Sequence, residues 1–127
     1  MSTRKVILVA DDEAVLRNIV RTLLHEEGYE VLAAADGNEA LRLSRTHEGK
    51  IDLLLTDMEM PRLDGISTYR RISAERRDIK VLFMSGAFPE PLKVLNGLPF
   101  LPKPFVTAAL RTKVREVLEV TSSAAVA

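Results

Sequence analysis

Five short apolar runs alternate along the chain with segments of helical periodicity. The runs are rich in Val, Ile and Leu and lie at about residues 5–10, 30–34, 51–56, 80–84 and 98–101. Between most of them, apolar residues recur every three or four positions, which is typical of amphipathic helices. This alternation predicts repeated strand–helix–strand units and therefore an α/β domain with a parallel sheet.

The helical segments differ in clarity. The segment from about 13 to 27 has a distinct apolar face, and Gly28 follows it where a left-handed stop is expected. Further helices are predicted at about 38–48, at about 65–75, and from Thr107 as N-cap to Val120. The segment 86–97 contains Pro89 and Pro91, so only a short or irregular fourth helix is expected there.

Length and composition indicate one domain that requires neither a disulfide nor a structural metal to fold. A chain of 127 residues is long enough to bury a sizeable hydrophobic core. We expect a single domain whose folded part covers about 5–120, followed by a frayed tail at 121–127. The chain has no cysteine, which excludes disulfides and thiol catalysis. The apolar run after the basic start is too short for a signal sequence or a membrane span, so we expect a soluble cytoplasmic protein.

The charge balance argues against two classes of partner. Lys and Arg number 18, and Asp and Glu also number 18, so no basic field is available for nucleic acids or membrane surfaces. We therefore expect no direct binding of DNA or RNA and no membrane association.

Polar residues follow four of the apolar runs at the point where each predicted strand ends. They are Asp11 and Asp12, Asp57, Ser85, and Lys103. In doubly wound parallel sheets, ligands bind outside the carboxyl ends of the strands, so we expect these groups to meet in one pocket. Two carboxylates about 4 Å apart repel by about 4 kcal/mol at an effective dielectric of about 20. Lys103 supplies one compensating charge, and Mg²⁺ is the natural second because it prefers carboxylate and carbonyl oxygens.

These residues, taken in order, resemble the receiver domain of two-component response regulators, and in particular its chemotaxis-type members. The resemblance covers about 5–120 and rests on a set of short motifs: Asp11-Asp12, Asp36-Gly37-Asn38, Asp57 with Met60-Pro61 and Asp64-Gly65, Ser85-Gly86, and Lys103-Pro104-Phe105. It implies a flavodoxin-like, doubly wound sheet of five parallel strands in the order 2-1-3-4-5 with five helices. It also suggests a cis Lys103-Pro104 bond.

The resemblance further implies a phosphoryl transfer. Asp57 would accept the group from a histidine kinase or a histidine phosphotransfer protein, and the chain would act as a signalling module rather than an enzyme. Mg²⁺, with Mn²⁺ as a substitute, would be held by Asp12, Asp57 and the backbone carbonyl of Glu59, with Asp11 acting through water. Lys103 and the Ser85 hydroxyl would contact the phosphoryl oxygens. Ser85 and Phe100 would then switch a protein-interaction surface, in a monomer or a phosphorylation-dependent dimer.

Several alternatives stay open at this point. Asp11 and Asp12 could simply cap a helix, and the other motifs could mark turns. The acidic Glu59 could repel an attacking hydroxide or a phosphatase group, or it could perturb metal binding. The chain could be a receiver cut from a hybrid histidine kinase that serves as a relay or phosphate sink, or a degenerate receiver that only binds partners. A phosphatase of the haloacid-dehalogenase type is disfavoured because Glu59 stands where such enzymes need a second Asp.

Overall fold

The computed structural model describes residues 4–86 and 97–120 of the chain. Five strands are present: β1 (Val6–Ala10), β2 (Glu30–Ala34), β3 (Leu53–Asp57), β4 (Lys80–Ser85) and β5 (Phe100–Pro102). Four helices are present in the same residues: α1 (Ala14–Glu26), α2 (Gly37–Thr46), α3 (Gly65–Glu75) and α4 (Thr107–Glu119). The short helix predicted at 86–97, which would make five, falls almost entirely on residues 87–96, outside the described residues. The tail predicted at 121–127 also lies outside them.

The strands form one parallel sheet in the order β2-β1-β3-β4-β5. This confirms the predicted doubly wound topology. The strand order reverses between β1 and β3, whose carboxyl ends therefore border an open crevice.

Alternate residues of each strand feed two separate apolar cores, one on each face of the sheet. In β1, Leu8 points to the core that contains Leu41 of α2 and Ile72 of α3. Its neighbour Val9 points to the core that contains Leu24 of α1 and Val114 of α4. Because helices cover both faces, the central strands are buried on both sides and read as continuous apolar runs.

Helix ends follow local chemistry, with one correction to the sequence analysis. The carboxylate of Asp36 caps α2 by accepting the Glu39 N–H at 2.7 Å, and that of Asp64 caps α3 by accepting the Ser67 N–H at 2.8 Å. The prediction that Thr107 is the N-cap of the last helix is wrong by one residue. The cap is Val106, whose backbone is extended, and Thr107 already has helical geometry.

Candidate functional site

The carboxyl ends of β1, β3 and β4 and the loop after β5 bring distant polar residues together. Asp57 is the last residue of β3 and pairs in register with Met84, directly before Ser85. Asp11 follows β1, where Ala10 pairs with Thr56. The Lys103 N–H donates to the Ser85 carbonyl at 2.8 Å, which continues the pairing of β4 with β5 beyond the end of the strand. Backbone register thus places Asp57, Ser85 and Lys103 side by side at this edge of the sheet.

The Lys103 ammonium group lies between two buried carboxylates. Its Nζ is 3.0 Å from Asp57 Oδ2 and 3.3 Å from Asp11 Oδ2. Asp11 is fully buried and Asp57 nearly so. Glu13 also approaches the ammonium group, at 3.6 Å, but its side chain is mostly exposed. The Lys103-Pro104 bond that precedes the final helix is cis.

Gly65 lies directly against the backbone of Asp57 and Met58. Its N–H donates to the Met58 carbonyl at 3.0 Å. A Cβ at this position would collide with the Asp57 carbonyl oxygen and would lie 2.9 Å from Met58 Cα. The start of α3 can therefore approach the end of β3 this closely only because residue 65 has no side chain.

Burial and charge act in opposite directions on the two central groups. Burial raises the pKa of Asp57, and the hydrogen bond and charge of Lys103 offset only part of that rise. Burial lowers the pKa of Lys103, but the hydrogen bond to Asp57 and the charge of Asp11 outweigh it, so the pKa lies above its ordinary value. Lys103 therefore stays charged at neutral pH, beside a carboxylate that is poorly solvated.

The site also has the ligand set of a hard cation. Asp11, Asp12 and Asp57 each offer a carboxylate oxygen, and these oxygens lie within 4.8 Å of one another. Asp12 is exposed, so one side of the cluster is open to solvent. The three clustered carboxylates carry more negative charge than the Lys103 ammonium group offsets, which fits the oxygen chemistry and charge of Mg²⁺ or Mn²⁺.

One contact was not expected from the sequence. The Ser85 hydroxyl donates to the carboxylate of Glu59, with Oγ 2.8 Å from Oε1 and 2.7 Å from Oε2. The backbone N–H of Glu59 donates to Asp57 Oδ1 at 3.3 Å. Glu59 therefore contacts both the Asp57 carboxylate and the Ser85 hydroxyl. The sequence suggested only repulsion or a perturbed metal site for its side chain.

Phe100 lies next to the site on the edge strand. It is half-buried, pairs in register with Phe83 of β4, and packs against the core formed with α2 and α3. Phe83 in turn makes an edge-to-face contact with Tyr69, with ring centroids 5.8 Å apart. Phe83 thus connects Phe100 of β5 with Tyr69 of α3.

An apolar surface adjoins the site on the side of α1. A shallow cavity of about 570 Å³ is lined by Ile19 and Val15 of α1 together with Lys103 and Phe105. The side chains of Val15, Ile19 and Val106 are 74%, 51% and 70% exposed. We call the surface formed by Val15, Ile19 and Phe105 the α1 patch. Among the helices in the described residues, none is long and apolar enough to cross a lipid bilayer.

Comparison with known proteins agrees with this architecture. Residues 7–115 match the family described as response regulator receiver domain. The chain is 40% identical over 118 residues to the sensor kinase CckA of Brucella abortus, covering 90% of this chain and 12% of that protein. It is 35% identical over 131 residues to the probable transcriptional regulator ycf27 of Guillardia theta, covering 98% of this chain and 50% of that protein.

A solved structure is also similar. The receiver domain of the hybrid histidine kinase CckA superposes with a TM-score of 0.78 at 37% identity, covering 90% of this chain and 99% of that one. This chain spans half or less of the length of the two curated relatives named above. The similarity is therefore to one domain of those proteins.

Proposed function

This chain belongs to the response regulator receiver domain family, whose members are signalling modules of two-component systems, and we propose that its signal is an aspartyl phosphate formed on Asp57. The observation that supports this most directly is the placement of the Asp57 carboxylate at a strand end, 3.0 Å from the Lys103 ammonium group and within an acidic cluster. The groups needed to receive, orient and neutralise a phosphoryl group are together there.

The transfer proposed is a displacement at phosphorus. Asp57 Oδ attacks the phosphorus of a phosphohistidine, an O–P bond forms and the N–P bond breaks. The histidine nitrogen keeps the electron pair of the broken bond and takes up a proton from solvent. Lys103 stabilises the added negative charge as a fixed point charge, while its contact with Asp11 limits its freedom to move away. Because the burial of Asp57 weakens its solvation, the carboxylate approaches the phosphorus with little water to remove.

We propose that Asp12, Asp57 and the backbone carbonyl of Glu59 hold Mg²⁺ or Mn²⁺, with Asp11 acting through water. The carboxylate cluster supports this assignment. When bound, the ion would offset charge on the phosphoryl oxygens and align the group for attack.

The α1 patch is the surface we propose for the phosphohistidine donor. It adjoins Lys103, and exposed apolar side chains beside a polar rim are typical of protein interaction sites. The donor proposed is a histidine kinase or a histidine phosphotransfer protein. Its helical surface would cover Val15 and Ile19 while its histidine faces Asp57.

The proposed output is a shift between two conformations of Ser85 and Phe100, one favoured before and the other after phosphorylation. After phosphorylation Ser85 turns toward the phosphoryl oxygens and Phe100 moves inward, which changes the face presented by β5 to a downstream protein. The phosphate favours this state only to the extent that it contacts the two states differently. The phosphorylated protein would remain a monomer or form a phosphorylation-dependent dimer.

A second candidate function is favoured by the similarity to CckA. A receiver of the kind found in a hybrid histidine kinase would pass its phosphoryl group onward to a phosphotransfer histidine, or serve as a phosphate sink, instead of switching an effector. The two functions share the chemistry at Asp57 and differ in what happens next.

Incubation with a phosphorylated histidine phosphotransfer protein and Mg²⁺ tests the proposal. We expect label to move from the donor to this chain, and we expect p-nitrophenyl phosphate turnover to be negligible. Return of the label to a fresh, unphosphorylated phosphotransfer protein would favour the relay. Rapid, repeated turnover of p-nitrophenyl phosphate would instead identify a phosphatase and contradict the proposal.

A further inference from the structure

We propose that Glu59 is a positioning residue that holds the Ser85 hydroxyl in the unphosphorylated protein and so restrains occupation of the site by a phosphoryl group. This inference rests on the proposed function of Asp57. It assigns to the Glu59 side chain a role separate from that of its backbone carbonyl.

The geometry at Ser85 is that of a bifurcated hydrogen bond. Oγ lies within 2.8 Å of both Glu59 carboxylate oxygens. An ionised carboxylate only accepts, so the hydroxyl is the donor. A hydroxyl carries a single proton, and while that proton is directed at Glu59 it cannot be given to a phosphoryl oxygen.

The hydrogen bond from Ser85 to Glu59 can be broken by rotation of the Ser85 side chain, without movement of the backbone. Ser85 is fully buried at the end of β4, and its carbonyl accepts the Lys103 N–H at 2.8 Å. The main chain is thus held by the sheet, so a change of acceptor for Oγ requires rotation about the Cα–Cβ bond of Ser85. Glu59 lies in the loop after β3 and is exposed, so its carboxylate can be hydrated by solvent once the hydrogen bond from Ser85 is broken.

The energetic consequence is an exchange of acceptors. An entering phosphoryl group gains the Ser85 hydrogen bond only after the bond to the Glu59 carboxylate is lost. Hydrogen bonds to charged acceptors are about twice as strong as neutral ones, so this loss offsets much of the gain. Removing the Glu59 carboxylate should therefore strengthen binding of a phosphoryl group, and it should do so mainly through Ser85.

Beryllofluoride, a stable mimic of the phosphoryl group, measures this with Mg²⁺ present and without turnover. We expect Glu59→Ala to bind it about fivefold more tightly than the unmodified chain, from the usual strength of a charged hydrogen bond partly exposed to water. Ser85→Ala and the double variant Glu59→Ala/Ser85→Ala complete a double-mutant cycle for these two residues. In the Ser85→Ala background, Glu59→Ala should change affinity no more than the control Glu13→Ala does. Glu13 is a suitable control because its carboxylate also lies near Lys103, at 3.6 Å, whereas the Ser85 hydroxyl donates to Glu59.

Glu59→Gln separates charge from hydrogen bonding. The amide oxygen still accepts from Ser85 but more weakly, so its gain should be smaller than that of Glu59→Ala. Equal gains for Gln and Ala at position 59, or equal gains with and without the Ser85 hydroxyl, would overturn the inference and show that the carboxylate acts by charge alone. Binding by none of the proteins, each checked for a cooperative unfolding transition, would instead overturn the phosphoacceptor function itself and this inference with it.

Discussion

Lys103 Nζ lies 3.0 Å from Asp57 Oδ2 although 46 positions separate the two residues along the chain. The contact exists because β3 and β5 flank β4, so that their carboxyl ends lie at the same edge of the sheet. The same ammonium group reaches Asp11, which makes it a shared counter-ion for two buried acids. Much of the behaviour expected of this protein follows from that arrangement.

Replacing Lys103 with Met should destabilise the metal-free protein. The change leaves Asp11 and Asp57 facing each other without a cation, and losing one partner of a fully buried pair costs about 3–5 kcal/mol. Because 15% of the Lys103 side chain is exposed, we expect a smaller loss of about 2 kcal/mol, measured by urea unfolding in EDTA. Lys113→Met is the control, since its 3.8 Å pair with Glu116 is on the surface and should change stability by less than about 0.5 kcal/mol. Equal losses in the two variants would contradict the counter-ion role.

Divalent cations should stabilise the folded protein through the acidic cluster. At a Mg²⁺ concentration about ten times Kd, the free energy of unfolding should rise by about 1.4 kcal/mol, and EDTA should reverse the gain. Mn²⁺ should act similarly. Asp12→Asn should weaken the effect by removing a ligand oxygen charge, whereas Asp78→Asn, an exposed residue between α3 and β4, should leave it intact. Thermal unfolding with and without the ion measures this, and the same shift in all three proteins would argue against the cluster as the binding site.

Gly65→Ala should impair both stability and phosphorylation. The added Cβ collides with the backbone of Asp57, so either α3 or the acceptor must move. We expect a loss of about 1–3 kcal/mol in unfolding free energy, as for other overpacked sites, together with slower phosphate uptake. Gly86→Ala is a matched control for stability because a Cβ there has no neighbour within 4 Å among the described residues. A Gly65 variant as stable as the Gly86 variant would show that the close approach is unimportant.

Stability should depend on pH through Asp36. Its pKa lies below its ordinary value because the carboxylate accepts the Glu39 N–H and, in addition, pairs with Arg62 at 3.2 Å. A lowered pKa means that this contribution is fully present above the unfolded-state value of 3.8 and is lost as pH falls through the folded-state value. Asp36→Ala should therefore cost about 1 kcal/mol near neutral pH, and the cost should be smaller at an acidic pH below 3.8. Urea unfolding of both proteins at the two pH values gives the comparison, and a cost that grows on acidification would have the wrong sign.

The sequence was sufficient for the fold and for the positions of the main polar groups. Alternating apolar runs reveal buried parallel strands directly, and the residues that end those runs must share one edge of the sheet. Asp11, Asp57 and Lys103 were accessible to this reasoning for that reason. The strand order itself came from the resemblance to the receiver family, because periodicity does not determine which strands are neighbours.

Features that depend on rotamers and loop paths could not be read from the sequence. Glu59 lies in the loop after β3, whereas Ser85 is the last residue of β4. Their contact depends on how that loop orients the Glu59 side chain. The start of α4 shifted by one residue because Val106, not Thr107, has the extended backbone of a cap. Arg62 has a φ of 70°, a conformation no residue pattern near Pro61 specified, and this residue makes the ion pair with Asp36.

Intact-protein mass spectrometry after incubation with acetyl phosphate and Mg²⁺ tests the central claim most directly. The account predicts one added phosphoryl group on the unmodified chain and on Asp78→Asn, and none on Asp57→Asn. Phosphate on the Asp57→Asn variant, or an unchanged mass for the unmodified chain, would contradict the assignment of Asp57 as the phosphoacceptor.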